Sequence, residues 1–364
     1  MAGGRHGVCG ALIGLEEGCR LLEQELLQGR KGEAEVVIGG ATGPAGANGA
    51  TAVLEPAGLP LIDGAIEIDA VSSGAAPGTH ALYTFDLERD RYLGDHRIDG
   101  RPVLPFAAAM ELMAEAAVAG APQRTVAGLQ EIRLLDGVAL EHERPARVRI
   151  DAATRAGGEE VEVTIAPPDG GRMHYRALVE LRDAAVPNTP RFARGWPGGA
   201  SHEAPAPLAD PRPFPIEIED AYRELLFHGP LFRGIVAIDA IDERGASALL
   251  APSRPGACVA GADGMRWLLD PVLLDSALQV QVLWARLQWD VTLLPAEIGG
   301  YTLVGAVPEA APARHELRIS PASNAPLCQA DHWFYGPDGR LVSMLRGVVG
   351  VGTRTLNRLA GAHP

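Results

Sequence analysis

The stretch Tyr92-Leu93-Gly94-Asp95-His96-Arg97-Ile98-Asp99-Gly100-Arg101-Pro102-Val103-Leu104-Pro105 spaces a histidine, a glycine and a proline as H-x-x-x-G-x-x-x-x-P, directly ahead of a long apolar segment. An imidazole is neutral near pH 7 and can accept a proton there, so His96 suits a general base. Gly100 lets the backbone bend sharply beside a substrate, and Pro102 and Pro105 stiffen the bend and start a helix. Amides near Val103, at that helix start, would face an oxygen that gains negative charge. A second segment, Asp275-Ser276-Ala277-Leu278-Gln279, sets one carboxyl among Leu273, Leu274, Ala277 and Leu278. Desolvation raises the pKa of such a carboxyl and keeps it protonated, which suits a general acid. Gln279 lies one helical turn later on the same face, where it orients the carboxyl or binds a departing hydroxyl. A base that takes an α-proton and an acid that protonates a β-hydroxyl together remove water from a β-hydroxyacyl group. Taken singly, each residue has a plainer reading: a histidine before a helix as a cap or surface group, an aspartate in an apolar helix as a satisfied core polar group.

Two apolar helices have to carry these groups. The first, from Pro105-Phe106-Ala107-Ala108-Ala109 to Val118, is apolar on nearly all sides and is expected to be buried. It is preceded by Tyr83, Phe85 and Leu87, alternating as in a half-buried strand, and followed by strand-like runs at Thr125–Leu135, Ala146–Asp151, Glu159–Ile165 and Met173–Leu181. The second half repeats that order. Strands are expected at Ile235–Ile241 and Ala246–Ala251, a helix at Trp267–Arg286, then strands near Tyr301–Val304, Glu316–Ile319, Ala330–Tyr335 and Arg340–Val349. The turn Gly336-Pro337-Asp338-Gly339 makes the last two a hairpin. One buried helix with several antiparallel strands is the hot-dog pattern, so the fold class is α+β, a double hot-dog. The halves are expected at residues 75–184 and 216–355, joined by a proline-rich, semi-rigid linker at 185–215. Residues 1–50 form a separate tail: leucines at helical spacing over 11–30, the short strand Glu35-Val36-Val37-Ile38, and a glycine-rich run from Gly39 to Gly49. That run has the wrong spacing for a dinucleotide fingerprint, is broken by Pro44 and reads as a linker.

Composition narrows the class of partner. The 364 residues are 47% hydrophobic, enough to fill a core, and their net charge of −14 argues against nucleic acid and anionic membrane. Cys9, Cys19, Cys258 and Cys328 show neither C-x-x-C nor metal-ligand spacing and read as reduced thiols of a cytoplasmic protein. The start has no basic region followed by a long apolar run, so no signal peptide is expected. Trp267 to Trp289, the longest apolar segment, carries Asp270, Asp275 and Arg286 and reads as a buried helix and not a membrane span.

The two motifs resemble those of polyketide synthase dehydratase domains and of the dehydratases of polyunsaturated fatty acid synthases. The resemblance runs over about residues 80–355. Phe227-His228-Gly229-Pro230-Leu231-Phe232 is similar to the family's Y-G-P-x-F segment, and Leu294-Pro295 with Gly299 or Gly300 to its L-P-x-x-x-x-G segment. His228 departs from the family, which usually has tyrosine there; it either supplies an N–H or packs. The closing Leu356-Asn357-Arg358-Leu359 is closer to iterative enediyne and polyunsaturated fatty acid synthases. The tail resembles the end of a ketoreductase domain, which would stand upstream in a multidomain synthase.

The resemblance implies a β-hydroxyacyl substrate on the phosphopantetheine arm of an acyl carrier protein and an α,β-enoyl product. It implies His96 and Asp275 as the catalytic pair, with Gly100, Val103, Pro105, His228, Gly229 and Gln279 around the substrate. No metal, nucleotide or flavin is implied. The partners are acyl carrier protein and neighbouring synthase domains, with a homodimer as an open option. Alternatives within the same fold are a product-template cyclase, a dehydratase that also isomerises the double bond, and an inactive scaffold domain.

Overall fold

The computed structural model describes residues 58–63, 66–69, 78–121, 123–184 and 204–360. The ketoreductase-like tail, the glycine-rich run and most of the proline-rich linker therefore lie outside the described residues. The described part belongs to one unit that begins at Leu54.

The first half runs β1 (Ile66–Asp69), β2 (Gly78–Phe85), a 3-10 turn (Arg91–Asp95), a miniature hairpin of β3 (Arg97–Ile98) and β4 (Arg101–Pro102), helix α1 (Phe106–Ala119), then β5 (Arg124–Leu134), β6 (Ala146–Thr154), β7 (Glu160–Ala166) and β8 (Tyr175–Asp183). The second half runs α2 (Ile218–Glu224), β9 (Ile235–Asp242), β10 (Gly245–Leu250), the single turn α3 (Pro255–Cys258), helix α4 (Pro271–Trp289), β11 (Thr292–Leu303), β12 (Ala313–Ile319), β13 (Leu327–Tyr335) and β14 (Leu341–Thr353). A closing 3-10 segment, Arg354–Leu359, contains the Leu356-Asn357-Arg358-Leu359 run.

The expected strands form, and they join into one antiparallel sheet of 12 strands in the order β1-β2-β6-β7-β8-β5-β11-β14-β13-β12-β10-β9. The halves are thus not merely side by side. Each contributes the long strand that follows its helix, and β5 pairs with β11 through Ile132↔Ile298 and Leu129↔Tyr301. At this seam a Cβ on Gly128 would stand 2.5 Å from the Tyr301 carbonyl oxygen, so only glycine admits the close strand approach. Strand β11 starts earlier than its apolar pattern suggests because Pro295, which has no N–H, sits at a bulge opposite β14 and hides the alternation.

Both helices pack against the sheet and touch each other. Alanines on α1 let it lie close, and nearly the whole helix is buried, its glutamates included. The second helix starts later than its apolar run, at Pro271, because Asp270 caps it. The Asp270 carboxylate accepts from Val272 N and Leu273 N at 3.1 Å each, and from Ser253 N and Oγ at 2.7 Å each. Pro271 at the first helical position fits the missing donor there. Asp270→Ala is expected to cost about 3 kcal/mol, since it removes the cap and strands buried donors. Urea unfolding with an unchanged m-value checks this; a midpoint within error of the unsubstituted protein contradicts it.

Candidate active site

His96 is positioned by a two-residue hairpin. Asp99 and Gly100 both have positive φ, 50° and 76°, and pair Arg97 with Pro102 and Ile98 with Arg101 across the turn. Asp-Gly is a preferred pair for such a type I′ turn. The hairpin folds Val103 back onto His96. Val103 N donates to the His96 carbonyl at 3.0 Å, and His96 Nδ1 lies 2.8 Å from the Val103 carbonyl oxygen. A carbonyl only accepts, so Nδ1 carries the hydrogen and Nε2 holds the electron pair. This is the form a general base needs.

The same hydrogen bonds correct two expectations. The Val103 amide is not open to a substrate oxygen because His96 already takes it, and Leu104 N is taken by the Val138 carbonyl at 2.9 Å. Gly100 is exposed at the hairpin tip and does not line the cavity, and its φ is what the turn requires. Pro105 is the N-cap of α1, in extended conformation. The first amides without an intrahelical acceptor are therefore those of Phe106, Ala107 and Ala108.

The segment from Phe227 to Phe232 docks on the residue before His96. Gly229 N donates to the Asp95 carbonyl at 2.7 Å, and Leu231 N to the Asp95 carboxylate at 2.8 Å. A Cβ at Gly229 would stand 2.5 Å from the Asp95 carboxylate, so the docking of the halves itself requires this glycine. His96 and His228 thereby face each other as an isolated antiparallel bridge. Phe227 stacks on the His228 ring at 4.1 Å and presents its edge to His96 at 5.3 Å, and the Phe232 ring lies 5.7 Å from that of His96.

Asp275 sits on the second turn of α4 and is buried. Its Oδ2 accepts from Gln279 Nε2 at 2.7 Å and lies 3.3 Å from His228 Nε2. Gln279 Nε2 also donates to the Phe232 carbonyl at 2.9 Å, and its Oε1 accepts from the Tyr222 hydroxyl at 2.9 Å. Tyr222 in turn accepts from Ile235 N at 3.0 Å. The amide of Gln279 is thus held with its nitrogen toward the carboxyl. Burial pushes the Asp275 carboxyl up to about 7, against the opposing pull of the Gln279 hydrogen bond.

One atom each of His96, His228 and Asp275 lies within 4.8 Å of the other two. All three, with Gln279, border a cavity of about 220 Å³ whose remaining wall is apolar and includes Leu104, Phe106, Tyr175, Val282 and Leu293. Leu294 and Pro295, from the L-P segment, lie on the same wall. The structure thus brings together His96, Val103, His228, Asp275 and Gln279, and leaves Gly100, Pro105 and Gly229 as supports outside the cavity wall. A larger groove of about 920 Å³ beside Trp289 and Trp333 contains neither a histidine nor a buried acid.

Four supporting residues escaped the sequence reading. Asp95 and Tyr222 act through the contacts above. Glu111 and Glu115 lie one turn apart on α1, both fully buried. Glu111 accepts from Leu268 N and Leu269 N at 2.8 and 2.7 Å, tying α1 to the chain that enters α4. Glu115 accepts from Ile62 N at 2.9 Å and from Leu61 N. Burial pushes both carboxyls up, and the neighbouring Glu111 pushes Glu115 further. Two acids at i, i+4 in an otherwise apolar helix were the only available signal.

A long antiparallel sheet enclosing two buried helices, with a histidine from one half facing an acid from the other, defines the double hot-dog class of acyl-thioester proteins. Family models place the chain further. Residues 200–350 match the polyketide synthase dehydratase N-terminal domain, and residues 69–170 match the polyketide synthase dehydratase domain. The chain belongs to this dehydratase family. It is 28% identical over 241 residues to one of the polyunsaturated fatty acid synthase polypeptides of Thraustochytrium sp., a match covering 64% of the chain and 8% of that protein. It is also 28% identical over 222 residues to pikromycin polyketide synthase component PikAII of Streptomyces venezuelae, covering 58% and 5%. The matched region thus spans less than a tenth of either relative. Among solved structures, the dehydratase domain from the CurF module of curacin polyketide synthase superposes with a TM-score of 0.60 at 17% identity, covering 81% of this chain and all of that one. The bifunctional dehydratase-cyclase domain of ambruticin biosynthesis gives 0.53 at 21% identity, covering 78% and 95%. Among the described residues, no helix is long and apolar enough to cross a membrane.

Proposed function

We propose that this chain is the dehydratase domain of a polyketide or polyunsaturated fatty acid synthase, a hydro-lyase that converts a β-hydroxyacyl thioester into an α,β-enoyl thioester and water. The observation that carries the reading is the meeting of His96 and Asp275, one from each half, at a single small apolar cavity. His96 Nε2 removes the α-proton. Asp275 gives its proton to the β-hydroxyl, which leaves as water. Because Oδ2 already accepts from Gln279, the proton of the neutral acid sits on Oδ1. Each transfer contributes about 10²–10⁴ in rate. The thioester oxygen faces the first turn of α1 at Phe106, where helix amides have no acceptor of their own.

The substrate rides on the phosphopantetheine arm of an acyl carrier protein, and this chemistry needs no cofactor. Neighbouring synthase domains, a ketoreductase among them, supply the hydroxyl. A homodimer is compatible with this setting. Buried free thiols at Cys258 and Cys328 fit a reducing cytoplasm. Retention of both members of the pair speaks against an inert scaffold, and a cavity of about 220 Å³ is small for the long poly-β-keto chain a cyclase would fold.

The test is mass spectrometry of 3-hydroxyacyl carrier protein, and of N-acetylcysteamine thioesters, in both stereochemistries and several chain lengths. Loss of one water is expected with one stereoisomer. The reaction is reversible, so hydration of the enoyl thioester is assayed in parallel. Absence of both reactions across the series sinks the reading.

A further inference from the structure

His96, His228 and Asp275 are all buried, and each brings one ligating atom to within 4.8 Å of the other two. Two imidazoles and a carboxylate form the donor set of 2-His-1-carboxylate sites, which hold first-row divalent metals. We propose that this triad binds a divalent transition metal ion, zinc above all, and that the bound ion blocks the dehydration site. The second clause rests on the function proposed above; the first does not.

At His96 and Asp275 the surrounding groups are those a metal site uses. A ligating histidine almost always gives its other N–H to a carbonyl or carboxylate, which fixes the ring and leaves the second nitrogen for the ion. His96 does this through Nδ1 and the Val103 carbonyl, at 2.8 Å. The carboxylate is held by Gln279, which is itself held by Tyr222. Ligands 2.0–2.1 Å from one tetrahedral zinc ion stand roughly 3.4 Å apart. His228 Nε2 and Asp275 Oδ2, at 3.3 Å, already have that spacing. A shift of His96 by up to roughly 1.4 Å toward them completes three ligands of such a tetrahedron. All three residues border the cavity, so it has room for a fourth, open ligand position, as in zinc sites that keep one place open.

His228 makes this a property of this chain. The family it resembles usually has tyrosine there, which offers no second imidazole. A bound ion occupies the electron pair of His96 that must take the α-proton. It also replaces the proton that Asp275 must donate. Both halves of the acid–base cycle stop together.

The experiment titrates Co²⁺ into chelator-treated protein and follows its visible absorption, with Zn²⁺ calorimetry alongside. One saturable equivalent per chain is expected. His228→Phe, His228→Tyr and Asp275→Asn should each weaken it by more than about tenfold; circular dichroism confirms that each variant is folded, and the two replacements at His228 guard against one failing. No saturable binding, or binding undiminished in every folded variant, overturns the site. Zn²⁺ should then suppress dehydration and a chelator restore it. Full activity at saturating Zn²⁺ overturns the blockade alone. If the protein dehydrates nothing, the Co²⁺ spectrum still decides the metal site, so the two readings fail separately.

Discussion

His96→Ala is expected to slow dehydration by about 10²–10⁴-fold while leaving KM within a few fold. The hairpin and the Val103 carbonyl hold the imidazole as the Nδ1–H tautomer, with Nε2 toward Asp275 and the cavity. Truncation removes the base and nothing that holds the acyl chain, since the cavity wall is otherwise apolar and comes from other elements. The backbone bond from Val103 N to the His96 carbonyl does not involve the side chain and persists. The fold should therefore survive, which thermal unfolding checks. Single-turnover rates on a 3-hydroxyacyl thioester measure the effect. A rate within threefold of the unsubstituted protein would remove His96 from the reaction.

Asp275→Asn is expected to do two opposite things. It removes the acid, so the rate falls by about 10²–10⁴-fold. It also relieves a buried carboxyl, so the protein gains stability at high pH. The sign follows from proton uptake. Unfolded, the carboxyl loses its proton near its ordinary value of 3.8; folded, it keeps the proton up to about 7. Between those values the folded state binds more protons, so stability declines as pH rises through that window and is flat above it. Asparagine has no such decline, and its oxygen still accepts from Gln279. The stability advantage of the variant should widen by about 2–4 kcal/mol from pH 4 to pH 8, read by urea unfolding at each pH. The same titration governs activity: dehydration by the unsubstituted protein should fall tenfold per unit above about pH 7, as the acid loses its proton. A rate unchanged from pH 7 to pH 9 would mean that Asp275 is not the acid.

The reading from sequence succeeded where a residue type and a local requirement coincide. Gly100 specifies a sharp bend, Pro105 the start of α1, and an aspartate among leucines a desolvated acid. Strand alternation located most of the sheet because each strand buries one face. Contacts between segments far apart in the chain were not legible. Glu111 reaches Leu268 and Leu269 across more than 150 positions, and no local pattern announces the partner. Val103 borders the cavity, but the engagement of its amide was hidden for a similar reason. Its amide looked open at a helix start, but the hairpin folds the chain back and spends that amide on His96. Gly229 was read as a substrate contact, although the group that demands a glycine there is Asp95, on the other half of the fold.

The β5–β11 seam carries one more consequence. The histidine belongs to the half that supplies β5 and the acid to the half that supplies β11, so the reacting couple exists only where the two are joined. Each half taken alone holds one member of the proposed pair. Two identical halves meeting by the same edge would create a pair of equivalent sites, and every substitution would alter both. Fusion in one chain releases that constraint: one half is free to specialise in taking protons and the other in giving them.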